Sequence, residues 1–284
     1  MLVESGADVS RQAGIASIDT HAHVFRRGLP LAQHRRYAPD YDAPLNVYLA
    51  QLDAHEIARG VLVQPSFLGT DCGYLLDALR RAPDRLRGVA VIPRDCELVT
   101  LTEMREAGIA GIRLNLIGHA DEPLEHWLSA QTLAHVRTLG WHVEVHAEAA
   151  RLDGIIEPLL DAEVDVVVDH FGRPDPRLGA SDPGFRRLLE RSQTQRVWVK
   201  ISGAYRIGSD TSQVSDETRK AFGMLKEAFG VHRMMWGSDW PHTQFEASEQ
   251  FTRSLELLRT LIPDEEERNV VLASTPASIY MFDD

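Results

Sequence analysis

Short apolar runs alternate with longer amphipathic stretches along the whole chain. The runs GVLVQ, GVAVI, HVEVH, DVVVD and RVWVK are rich in β-branched residues and almost continuously hydrophobic. Such runs suit parallel strands buried on both faces. They predict eight strands, at 15–20, 60–64, 88–92, 110–114, 142–146, 164–169, 197–201 and 233–236. Between them the spacing predicts helices over 44–57, 75–82, 99–107, 124–139, 152–161, 183–191, 215–229 and 247–261, with a last one over 264–280. Strict alternation argues for a parallel α/β fold. Eight repeats in 284 residues fit a (β/α)8 TIM barrel. An open doubly wound sheet is the alternative. No G-x-G-x-x-G follows the first strand, which counts against that sheet and against a nucleotide cofactor. No linker divides the chain, so one domain over 1–284 is expected, with 1–14 a loose N-terminal segment.

Composition narrows the partners. A net charge of −12 disfavours nucleic acid and anionic membrane surfaces, since both require basic patches. No apolar run is long enough to span a bilayer, and the first residues lack the apolar stretch of a secretory signal. Two cysteines, Cys72 and Cys96, match no zinc spacing and form no disulfide framework, so a reducing cytoplasm is the simplest setting. Of the 30 basic residues only three are lysines. A GC-rich genome accounts for most of that bias, although arginine also binds anions bidentately where lysine does so poorly.

A barrel places its chemistry at the C-terminal ends of the strands. The residues there are His21 and His23, Ser66, Arg113 and Asn115, His146, His170, Lys200 and Ser202, and Asp239. His21 and His23 are two apart, so on a strand both imidazoles point one way into the barrel mouth. An H-x-H pair alone is weak evidence; its recurrence with histidines at later strand ends is stronger. Asp239, in WGSDWPH, can ligate a metal, serve as a general base or cap the next helix. Asp169 and Glu144 either orient neighbouring histidines or face the helices.

These residues, in the order IDTHAH, GIRLN, VEVHAE, VVDHFGRP, VKISGAYR and WGSDWPH, resemble the amidohydrolase superfamily. The segments YAPDYDAPL, VLVQPSFLGTD and RGVAVI make the chain similar to the lactonase branch that contains 2-pyrone-4,6-dicarboxylate hydrolase. That branch also holds sugar-lactone hydrolases, muconolactone-type hydrolases and lactone isomerases. The resemblance implies a hydrolase in which Asp239 activates water and His21, His23 and His170 polarise a lactone carbonyl without a metal. It implies that Tyr37, Ser66, Arg113 and Arg206 hold substrate carboxylates. Two positions depart from the pattern: His146 stands where the family enzyme has tyrosine, and His119 where it has arginine. By the resemblance both serve one carboxylate, and imidazole in place of an always-charged donor weakens that contact. His146 also completes, with His21, His23 and Asp239, the ligand set of mononuclear zinc amidohydrolases. The expected cofactor is therefore none or one Zn²⁺. The fourth strand offers no lysine or carboxylate to bridge two metals.

The expectation is a hydrolase opening a small carboxylated lactone. A zinc-dependent decarboxylase or lactone isomerase on the same residues is the rival within enzymology. A catalytically inactive binding barrel is the rival from outside it, but such a barrel would be expected to have lost part of the histidine and aspartate set.

Overall fold

The computed structural model describes residues 16–207 and 215–282, so the segment 1–14 lies outside the described residues. Eight parallel strands follow one another in sequence order: β1 (Ile18–Ala22), β2 (Arg59–Val63), β3 (Leu86–Ala90), β4 (Ile109–Asn115), β5 (His142–His146), β6 (Val166–Val168), β7 (Val197–Ile201) and β8 (Met234–Trp236). Helices lie between them, giving the expected (β/α)8 barrel. The seam between the last strand and the first is closed beyond β8. Asp239 N donates to His21 O (2.8 Å) and His23 N donates to Trp240 O (2.8 Å).

The strands are buried on both faces, but the two faces differ. On β5, Val143 and Val145 pack outward under the helices, while His142, Glu144 and His146 alternate with them. On β7, Lys200 projects inward with Trp198. The barrel is thus apolar at its base, around Ile18, Val61, Val89 and Met235, and polar above. Gly111 makes room for this polar layer, because a Cβ there would lie 2.6 Å from the His142 ring.

Among the differences from the sequence expectation, three have a local physical cause. The first strand runs two residues further, so His21 lies within it and only His23 follows it. The β1–β2 register shifts between Asp19 and Ala22. That shift lets Ile18 and His21, three apart, both face the interior. The helix expected over 124–139 is two, Leu124–Trp127 and Ala130–Thr138. Ser129 breaks it by capping the second, its Oγ accepting from Thr132 N (3.3 Å). The last helix is interrupted by a π-helical turn at Val270–Ser274, just before Pro276, which has no N–H for the helical ladder. No helix among the described residues is long and apolar enough to cross a membrane.

Candidate active site

The strand C-termini surround a cavity whose empty volume, counting the part open to solvent, is about 330 Å³. His23, Tyr37, Ser66, Arg113, His146, His170, Arg206 and Asp239 all line it. His21 lies beneath, wholly buried against His23 and His170. His119 is not brought in. It sits on an exposed loop against the Trp127 ring.

Asp239 is wholly buried and held by its Oδ2, which accepts from Arg206 Nε (2.6 Å) and Tyr205 OH (2.7 Å). Its Oδ1 has no hydrogen-bond partner and lies 3.8 Å from both His21 Nε2 and His23 Nε2. Burial pushes this carboxyl upward. Arg206, followed by His170, His21 and His23, outweighs burial and holds it well below the usual carboxylate range. The residue adopts a left-handed backbone (φ +60°), as does His170 (φ +50°). Asp19 fixes the Asp239 turn from below, accepting from Ser238 N (2.7 Å) and Ser238 Oγ (2.6 Å).

Hydrogen bonding sets the proton positions on two imidazoles. His23 Nδ1 lies 2.8 Å from the carbonyl oxygen of Val63, which can only accept. The ring is therefore protonated on Nδ1 and turns a bare Nε2 toward Asp239. Burial, then His21, lowers its pKa to about 3, so it stays neutral. His146 is the reverse. Arg113 Nη2 lies 3.1 Å from His146 Nδ1, and a guanidinium only donates, so the imidazole proton sits on Nε2. That buried N–H has no partner in the protein. His170 Nδ1 shares a hydrogen bond with Ser202 Oγ (2.9 Å).

A charged layer underlies these groups. Lys200 Nζ, fully buried, donates to Glu144 Oε1 (2.5 Å) and lies 3.2 Å from His21 Nδ1 and 3.6 Å from Asp169 Oδ1. Tyr280 OH, from the final helix, also donates to Glu144 Oε1 (2.7 Å). Asp169 Oδ2 accepts from Arg113 Nε (2.9 Å) and Nη2 (2.8 Å). Asp169 and Glu144 therefore both face inward and orient the groups above them. Sequence reasoning left their facing open and passed over Tyr205 and Arg36. Tyr205 was legible only as a residue beside Arg206. Arg36 belongs to the loop after β1 and carries no strand-end signal.

The donors fit one cation in part. His21, His23 and Asp239 offer ligand atoms within 4.8 Å of one another, and two of those atoms, His21 Nε2 and Asp239 Oδ1, are buried without partners. Two imidazoles and a carboxylate are suitable zinc ligands, and the Val63 carbonyl orients His23 as an outer contact would. His146, expected as a further ligand, is not in that group.

Comparison with known proteins agrees with this architecture. The amidohydrolase family profile matches residues 18–282. The 4-sulfomuconolactone hydrolase of Hydrogenophaga intermedia is 30% identical over 270 residues, covering 93% of this chain and 88% of that one. The 2-pyrone-4,6-dicarboxylate hydrolase of Comamonas testosteroni is 30% identical over 236 residues, covering 80% and 77%. A solved structure from Acinetobacter baumannii with citric acid bound, designated a probable 2-pyrone-4,6-dicarboxylic acid hydrolase, is 37% identical with a TM-score of 0.89, covering 94% of this chain and 100% of that one. The chain belongs to the amidohydrolase family.

Proposed function

We propose that this protein hydrolyses a small anionic lactone, with Asp239 as the base. The observation that carries this reading is the division of the Asp239 carboxylate: Oδ2 is fixed by Arg206 and Tyr205, and Oδ1 is buried, ionised and without a partner. Two of the relatives described above are named as lactone hydrolases, of sulfomuconolactone and of pyrone dicarboxylate.

In the reaction, water placed at Oδ1 gives a proton to Asp239 as its oxygen attacks the lactone carbonyl carbon. The His146 Nε2–H and the guanidinium of Arg113 are fixed donors on the cavity wall for the oxyanion that develops. The tetrahedral intermediate collapses by breaking the ring C–O bond, and the proton on Asp239 passes to the departing oxygen. His23, with a bare Nε2, serves as an acceptor that orients the water. In this reading it accepts from the water and does not donate to the carbonyl, a different role from the one implied by the family resemblance. A zinc ion held by His21, His23 and Asp239 would supply carbonyl polarisation and a more acidic water.

Incubation with a panel of carboxylated lactones in ¹⁸O-water tests the reading. Ring opening with one labelled oxygen in the new carboxylate is the expected result. Carbon dioxide release, or rearrangement without label, assigns decarboxylation or isomerisation instead. Absence of turnover across the panel overturns the proposal.

A further inference from the structure

Four charged side chains line the cavity: Arg36, Arg113, Arg206 and Asp239. Three of them are already matched. Arg206 pairs with Asp239, and Arg113 grips the buried Asp169 through two nitrogens. Arg36 has no carboxylate within ion-pair distance among the described residues. The excess positive charge of the mouth is therefore concentrated on one side chain. A second observation fixes its path. The Arg36 stem crosses the loop after β4 at Gly118, where an added Cβ would come within 2.8 Å of Arg36 Cδ. Gly118 holds a left-handed backbone (φ +80°), so the position suits glycine on two counts. Arg36 is thus laid over the loop that carries His119.

We infer that Arg36 is the specificity-determining contact for an anionic substituent, a carboxylate or a sulfonate, on the part of the substrate remote from the reacting carbonyl. The inference rests on the lactonase reading for its substrate. Asp239 and His21 lie wholly buried at the floor, whereas Arg36 is exposed at the rim, so an anion on Arg36 sits away from the attacked carbon. A planar guanidinium suits either oxyanion bidentately. Arg113 and Arg206, committed to Asp169 and Asp239, then act chiefly inside the reacting centre.

Calorimetric titration with citrate, a non-hydrolysable polycarboxylate, reads the site without turnover. Arg36→Met is expected to weaken citrate binding roughly 10- to 100-fold, the range for losing a charge-assisted contact. Arg36→Lys should recover part of that loss. On an anionic lactone the Met variant should raise KM by a similar factor and leave kcat within about twofold, while the methyl ester of the same lactone is processed equally by both proteins. Unchanged citrate affinity and KM in Arg36→Met overturn the inference, as does a wild type that does not bind citrate. If the wild type opens no lactone yet loses citrate on Arg36→Met, the anion site stands and the lactonase reading falls.

Discussion

Arg206 Nε lies 2.6 Å from Asp239 Oδ2, and that contact makes the two carboxylate oxygens unlike: one is anchored, the other is buried without a partner. Asp239→Asn preserves an oxygen for Arg206 and Tyr205 but cannot take a proton. We expect kcat to fall by at least ~10²-fold with little change in thermal unfolding. Turnover and a melting curve on the same sample check both halves, and near-normal kcat removes Asp239 from the mechanism.

The same contact sets a pH dependence. Asp239 is held below the ordinary carboxylate range, so it stays ionised as pH falls through that range, and activity limited by it persists there. Arg206→Met removes the largest lowering influence, and Asp239 then protonates at a higher pH. The acid limb of kcat/KM should move upward in the variant. A limb that stays in place shows that it belongs to another group.

Metal uptake separates the histidines. His23→Ala should lose affinity for Zn²⁺ by at least ~10-fold, the scale of losing even an outer contact. His146→Phe should bind zinc as the wild type does. Competition against a chromophoric chelator measures both without an assay of activity. Equal losses would place His146 among the ligands.

Stability should respond to acid early. His23 and His242 are buried with pKa values lowered from 6.5 to about 3 and about 4, burial being the main cause, and burial also holds His146 and His170 well below 6.5. In the unfolded chain these groups take up protons near pH 6.5, and in the folded chain they do not. Each therefore removes up to ~1.4 kcal/mol per pH unit as pH falls below 6.5, until its folded pKa is reached. The melting temperature should begin to drop between pH 6.5 and 5, above the carboxylate range. His242→Asn should make that slope shallower.

Lys200 and Glu144 are both fully buried, with Nζ 2.5 Å from Oε1. Lys200→Met leaves the buried Glu144 without the lysine cation, with only Tyr280 OH still donating to it, and should cost about 3–5 kcal/mol in a denaturant titration. Adding Glu144→Gln should recover much of the loss. Additive effects in the double variant would show that the pair is not coupled.

The strands were legible because parallel barrel strands are apolar on at least their outer face, as in Val143 and Val145 of HVEVH. Their polar residues were legible as site candidates because a barrel gathers its strand ends. Less legible was anything set by the third dimension. The inward facing of Asp169 depends on the turn after β6. The break at Ser129 depends on a capping bond that an apolar period does not show. The contact of His146 Nδ1 with Arg113 depends on where that guanidinium lands. Arg36 lies in a loop, where no periodicity marks which side chains reach the cavity.

The barrel seam has a consequence for how such a protein can diverge. The bonds that close the cylinder, Asp239 N to His21 O and His23 N to Trp240 O, join the backbone around Asp239 to that of the two imidazoles facing it. Any drift that slackens closure also misplaces the reacting groups, so fold and chemistry stand or fall together in this region. Arg36 and Gly118 sit on loops outside that constraint. Laboratory evolution of this chain toward new substrates should therefore accumulate its gains in those loops and leave the seam unchanged.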